Sequence, residues 1–345
     1  ANFRGTILAH DAITIATGMT VVGAVSASAE SITGGGSSFM GTFQATCASQ
    51  YSNHTVAYVA NSSGTGRNQF AVGNYDFGGS EDPYSSKEYQ GRAGGYNFAP
   101  ITAGPIVIGY NLKGVTSLKL DNAAIGKIFR GDIKKWNDAA IKKLNPQAKL
   151  PDASIVVVYR SSNSGTSGNF SGYLEANKVP GWKRNGVITT ANGKGAPAGS
   201  LGFVSNQQVT TAVKGTKNTI GYFDFADAKA QGLKAFAAVK NPAGQFVLPS
   251  VATATKFIEK NANVQPSGLV GMQWDKKIKG AYNLVAIAYL IGPNGQTDAK
   301  SRATEDYAKY LLDTCGPKTA TKTGYLPLKG KILALAKTQV EKFSN

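Results

Sequence analysis

A chain of 345 residues is long enough for two domains of ordinary size, and its 42% hydrophobic and 10% aromatic content is that of a protein with a buried core. Its 37 Lys and Arg against 20 Asp and Glu leave a formal charge of +17, which favours anionic partners. The basic residues are scattered, as at Lys134, Lys135, Lys142, Lys143, Lys183 and Arg184, so nucleic acid is not the expected partner, and two cysteines without a CxxC spacing plus two histidines argue against a metal centre.

Residues 13–29 are apolar, rich in small side chains, and end in Ala27-Ser28-Ala29, like a signal-peptide core with its cleavage site. Asp11 ahead of the apolar run supports a second reading. The β-branched Ile13, Ile15, Val21, Val22 and Val25 suit an extra strand that pairs with a sheet edge of a neighbouring subunit. Residues 1–30 are therefore expected to be either a signal-like leader or a retained N-terminal arm for self-association.

Phe39, Phe43, Cys47 and Tyr51 recur every four residues, which predicts a helix with Cys47 on its buried face. Ala303, Tyr307 and Leu311 carry the same period to Cys315, where Gly316-Pro317 is expected to stop the helix. Cys47 is read either as a free core thiol or, in an exported protein, as bridged to Cys315. Strands are predicted at 56–60, 106–111, 155–159, 219–223 and 284–290, with helices between them, an α/β pattern with mainly parallel pairing. Asp121 is expected to cap a helix carrying Ile125, Ile128 and Phe129, and Asn137 a helix carrying Ile141 and Leu144. The glycine-rich stretches 34–36 and 193–202 read as loops.

Four polar segments read as strand-to-helix loops, where the first turn of a helix offers unpaired N–H groups to an anion. They are Gly34-Gly35-Gly36-Ser37-Ser38-Phe39, Asn61-Ser62-Ser63-Gly64-Thr65-Gly66, the run 76–83 beginning Asp76-Phe77-Gly78-Gly79-Ser80, and Arg160-Ser161-Ser162-Asn163-Ser164-Gly165-Thr166. Together they supply hydroxyls, backbone donors, one arginine and carboxylates, an inventory suited to a small tetrahedral oxyanion. No nucleophile and base pair is visible, and Gly193-Lys194 is followed by Gly195 rather than by the Ser or Thr of a P-loop, so the chain does not read as an enzyme.

With these segments in view, the chain resembles the phosphate-binding proteins of bacterial phosphate-specific ABC transporters. The resemblance spans residues 31–345 and rests on Thr33-Gly34-Gly35-Gly36-Ser37-Ser38-Phe39, Asp76-Phe77-Gly78-Gly79-Ser80, Ile128-Phe129-Arg130-Gly131-Asp132-Ile133-Lys134-Lys135-Trp136, Leu144-Asn145-Pro146, Tyr159-Arg160, Ser164-Gly165-Thr166-Ser167, Ile220-Gly221-Tyr222 and Gly324-Tyr325-Leu326-Pro327-Leu328. It implies a type II periplasmic-binding-protein fold, two α/β lobes joined by two crossing strands, with residues 31–109 plus 287–345 as lobe I and 110–286 as lobe II. It implies capture of inorganic phosphate between the lobes, delivery to an ABC permease, an extracytoplasmic location and no cofactor. A surface or filament-forming protein on the same fold, linked through residues 1–30, is the alternative.

Carried over by position, the implied phosphate ligands are Ser38, Phe39, Ser63, Glu81, Arg160, Ser164, Gly165 and Thr166. Two positions depart from the family pattern. The usual aspartate is Glu81, with Asp82 one step later, so either side chain is a candidate acceptor for the ligand proton. A carboxylate that usually pairs with the arginine is Ser162, so Arg160 is expected to lose a partner and some of its preorganisation. The segment Ser205-Asn206-Gln207-Gln208 also lacks the expected glycines.

Overall fold

The structure, a computed structural model, describes residues 28–84, 91, 94–261 and 263–345. The leader-or-arm segment therefore lies outside the described residues up to residue 27. Strands β1 (Ser31–Gly36), β2 (Thr55–Ala60), β3 (Phe77–Ser80) and β4 (Asn97–Asn111) come first in the chain. They are followed by β5 (Leu118–Leu120), β6 (Val156–Arg160), β7 (Leu201–Phe203), β8 (Thr219–Asp224), β9 (Ala237–Lys240), β10 (Phe246–Val247), β11 (Asn263–Val264), β12 (Val270–Gly271) and β13 (Val285–Gly292).

Eight of these form one continuous sheet in the order β2-β1-β3-β13-β4-β8-β6-β7. At one end β1 pairs in parallel with β2 and β3; at the other β6 pairs in parallel with β7 and β8. The centre is antiparallel: β13 against β3 and β4, then β4 against β8. The expected mainly parallel pairing thus holds only within each end. A chain that crosses from one lobe to the other and returns runs in opposite directions on its two passages, so β4 and β13 are antiparallel neighbours. β4 pairs with β13 along Asn97–Pro105 and with β8 along Ile106–Asn111, which makes it a member of both halves. The architecture is two α/β lobes joined by two crossing strands.

The glycine-rich stretch 34–36 is part of β1 rather than a loop. A Cβ on Gly34 would stand 2.2 Å from the ring of Phe77 on β3, so glycine is what lets that buried ring lie across the strand. The run 76–83 likewise contains strand β3 rather than leading directly into a helix. Two cap positions also move. Asp138, not Asn137, caps helix Ala139–Leu144, its carboxylate accepting the Ala140 N–H at 2.8 Å. Gly316-Pro317 does not end its helix: Ala299–Tyr310 passes through a π turn, Leu311–Cys315, into helix Gly316–Thr323 and stops at left-handed Gly324. Pro317 falls at the start of that last segment, directly after the π turn.

Helix Gly41–Ala48 and the π turn are joined by a disulfide between Cys47 and Cys315, with Cα atoms 5.7 Å apart and a sequence separation of 268. Both cysteines are buried in the main core beside Phe43 and Tyr307. A crosslink closing so long a loop restricts the unfolded chain strongly, and the chain-entropy relation gives on the order of 5 kcal/mol. The Cys47→Ser/Cys315→Ser variant is expected to lose about 3 to 5 kcal/mol in a guanidinium unfolding titration; an unchanged midpoint and slope would show that the bridge contributes nothing to stability.

Candidate functional site

Four helices begin at one buried point between the lobes. Ser62 caps helix Ser63–Ala71 by accepting the Thr65 N–H, and Ser164 caps helix Gly165–Ala176 by accepting the Ser167 N–H. Ser205 and Gln208 form a reciprocal capping box on helix Asn206–Gly215. The fourth, Gly41–Ala48, follows Ser37, Ser38 and Phe39 at the end of β1. Each helix start contributes positive potential and N–H donors, so the point where they meet favours negative charge.

A carboxylate occupies that point. Glu81, at the end of β3, is 4% exposed and accepts hydrogen bonds from Ser37 Oγ, from Ser63 Oγ at 3.1 Å and from Thr166 Oγ1 at 3.5 Å. Ser63 Oγ also accepts the Gly165 N–H at 3.0 Å. A Cβ on Gly165 would stand 2.6 Å from both Glu81 Oε2 and Ser63 Oγ, so no larger residue permits this approach. Asp82 turns away: its carboxylate accepts from Arg184 Nη2 at 2.6 Å. Of the two candidate acceptors, Glu81 is the one among the hydroxyls.

Arg160, at the end of β6, is 1% exposed. Its guanidinium donates to Asn206 Oδ1 at 2.8 Å, Val204 O at 2.7 Å, Asn61 O at 2.9 Å and Ser162 Oγ at 3.2 Å. The expected loss of preorganisation is therefore corrected. Four neutral acceptors hold the guanidinium in place of one carboxylate, which orients the side chain without neutralising its charge. Asn206 is the residue that sequence reasoning missed. Besides Arg160 it bonds Thr166 Oγ1 at 3.1 Å and Asp224 Oδ2 at 2.9 Å through its amide, and its N–H donates to Ser38 Oγ at 3.0 Å. Its only sequence signal is the capping pattern at 205–208. Ser37 was also passed over in favour of its neighbour. Ser38, Ser63, Glu81, Arg160, Gly165 and Thr166 come together as described, while Ser164 uses its hydroxyl as a cap and the Phe39 ring packs edge-on against Tyr325.

Burial sets the charge state. It pushes the Glu81 carboxyl up to about 7, against hydrogen bonds from Ser37 and the charge of Arg160 that pull it down. Burial lowers Arg160 to about 10, so the guanidinium stays charged at neutral pH. Behind Asn206, burial and the proximity of Asp227 raise Asp224 well above the usual carboxylate range, and burial raises Asp227 to about 6. Near neutral pH the centre thus holds a charged guanidinium and a carboxyl that keeps its proton more tightly than an exposed acid, an arrangement that accepts a small anion carrying an exchangeable proton.

A carboxyl raised from 4.5 to about 7 makes the folded protein bind more protons than the unfolded chain between those values, so its contribution to stability falls as pH rises through that window. Glu81→Gln is expected to match the wild type near pH 4 and to exceed it at pH 8, by on the order of 3 kcal/mol, in denaturant titrations of anion-free protein. Parallel pH profiles for the two proteins would show that Glu81 ionises freely in the fold.

The PBP superfamily domain matches residues 22–314 of the chain. The chain is 34% identical over 327 residues to the phosphate-binding protein PstS of Pasteurella multocida, covering 92% of this chain and 91% of that one. A high-affinity periplasmic phosphate-binding protein solved with phosphate superposes with a TM-score of 0.72 at 21% identity, over 91% of this chain and 99% of that one. An ABC-type phosphate transport receptor from Vibrio cholerae superposes with a TM-score of 0.55 at 16% identity, over 86% of this chain and 99% of that one. These likenesses to solved structures establish the fold, and the match to PstS along nine-tenths of both sequences establishes descent. The chain belongs to the PstS family of phosphate-binding proteins, within the PBP superfamily.

Proposed function

We propose that this protein captures inorganic phosphate in the cleft between its lobes, on the extracytoplasmic side, and delivers it to the membrane permease of an ABC transporter. The observation that carries the reading is a buried carboxyl, Glu81, and a buried guanidinium, Arg160, linked through Thr166 and Asn206 where four helices start. Arg160 supplies the attraction through a charge-assisted contact. Ser63 and Thr166, whose hydroxyls donate to Glu81, turn to the ligand oxygens, and Ser38, Phe39, Ser164 and Gly165 complete the shell. Glu81 then accepts the proton that phosphate carries and sulfate lacks. A ligand without that proton leaves the carboxylate facing bare oxygens, a mismatch of a few kcal/mol, or about hundredfold.

The lobe limits that suit this reading are residues 31–109 with 287–345 for lobe I and 110–286 for lobe II. With those limits the cleft is stitched by contacts from both sides: Asn163 O accepts the Gly64 N–H at 2.9 Å, Asn61 O accepts from Arg160, and Thr42 Oγ1 donates to Asp227 Oδ1 at 2.9 Å. Opening and closing of the lobes is then the working motion, and no covalent step is required.

Calorimetric titration of phosphate-stripped protein is expected to give micromolar or tighter phosphate binding with sulfate excluded. Arg160→Ala is expected to weaken phosphate binding by about 2 to 4 kcal/mol. No heat on phosphate addition to the wild type would refute the receptor reading, and an unaltered Kd in the variant would remove Arg160 from the ligand shell.

A further inference from the structure

Among the polar contacts that span the cleft, one is an ion pair whose two partners are each fixed by further contacts. On one side, Asp82 follows β3, and its backbone is fixed by Ser80: the Asp82 N–H donates to Ser80 Oγ at 3.1 Å, and its carbonyl accepts from Ser80 Oγ at 2.5 Å and Arg67 Nη1 at 3.3 Å. One carboxylate oxygen accepts from Arg184 Nη2 at 2.6 Å. The other rests on helix Gly165–Ala176, 1.8 Å from where a Cβ on Gly168 would stand, so the carboxylate sits in a notch that exists because residue 168 is glycine.

On the other side, the Arg184 guanidinium lies 5.5 Å from the centroid of Trp274, and the Arg184 N–H donates to Glu175 Oε2 at 2.8 Å. Trp274 is itself anchored, its Nε1 donating to Val285 O at 3.1 Å. An ordinary surface ion pair contributes little because two long side chains must be ordered to form it. Here the ordering is supplied by the notch, the indole and the backbone contacts, and the Asp82 side chain is only 15% exposed.

The location matters as much as the strength. A groove of about 500 Å³ is lined by Arg67, Asp82, Tyr84 and Asn163, and an adjoining pocket of about 130 Å³ by Glu81, Asn169, Met272 and Tyr289. Arg184 and Pro83 line both. The ion pair therefore stands where the two pockets adjoin, next to the one lined by Glu81.

We propose that Asp82 and Arg184 form a clasp across the cleft that holds the lobes together and sets how slowly a bound anion leaves. With the lobes apart, Asp82 travels with β3 and the guanidinium loses its carboxylate partner, so Arg184 adds a positive charge to the open cleft. With the lobes together, Asp82 returns to the Gly168 notch and takes Arg184 back. This inference rests on the phosphate reading for its ligand and on the lobe limits above for its motion. It adds two positioning residues, neither of them among the ligands.

Phosphate association and dissociation are measured by stopped flow on the full chain, with tryptophan fluorescence as the signal because Trp274 lies directly under Arg184. Asp82→Asn and Arg184→Gln are each expected to raise the dissociation rate about tenfold. Arg184→Gln should also slow association at low salt, and the double variant should be no faster in dissociation than either single one. Gly168→Ala, which fills the notch and displaces the Asp82 carboxylate while leaving both charged residues in the chain, should speed release in the same way. Unchanged dissociation rates in all three single variants, or a double variant whose effect is the product of the two singles, would overturn the clasp. If the wild type shows no phosphate response, the phosphate reading fails, and small-angle scattering of the ligand-free proteins then decides the clasp. A larger radius of gyration in Asp82→Asn and Arg184→Gln than in wild type supports it, and equal radii overturn it.

Discussion

The antiparallel pairing of β4 with β13 is the constraint on which the rest of the molecule depends. β4 runs for 15 residues and is hydrogen-bonded to β13 over its first part and to β8 over its second, so one continuous strand holds two parallel strand sets in register. Parallel strands followed by helices present their carboxyl ends and the helix starts on one side, the usual place for a ligand in an open α/β sheet. Here the carboxyl ends of β1, β2 and β3 bring Ser37, Ser63 and Glu81, and the end of β6 brings Arg160 and Thr166. The site lies where the two sets face each other because β4 and β13 fix their relation.

Placing Glu81, Arg160, Asp224 and Asp227 out of water is costly, and each charge is handled differently. Arg160 keeps its charge by spreading four donors over neutral oxygens and an amide. Asp224 and Asp227 hold their protons more tightly than exposed acids do. Glu81 stands between these extremes, poised near neutrality with three hydroxyls around it. A permanent internal partner for Arg160 would satisfy the arginine and leave less for a ligand to gain. Asn206 orients the guanidinium, ties it to Thr166 and Ser38, and leaves its charge available.

The one-residue change from Asp to Glu in the β3 loop also acquires a structural meaning. The longer side chain reaches the hydroxyl cluster from its own position, and this frees Asp82 to pair outward with Arg184. Two adjacent carboxylates thus divide between the centre of the cleft and its rim, Glu81 turning to the hydroxyls and Asp82 to Arg184 at the bend after β3.

From the residues themselves came the alternation of strands and helices, the buried face that carries Cys47 and four polar segments beside helix starts, while the family resemblance implied the six residues that meet at the cleft. The first three are local: they follow from periodicity, turn chemistry and short motifs. Residues 34–36 were misread because glycine signals a turn locally, whereas Phe77, brought in from another strand, is what requires its small size. Gly316-Pro317 was misread because the π turn that absorbs it depends on packing around Leu311 and Cys315. The choice of Glu81 over Asp82, the acceptors that replace Arg160's missing partner and the bridge from Asn206 to Ser38 were decided only in three dimensions. Each joins residues from distant parts of the chain, and no spacing in the sequence encodes which side chains will face one another across a cleft.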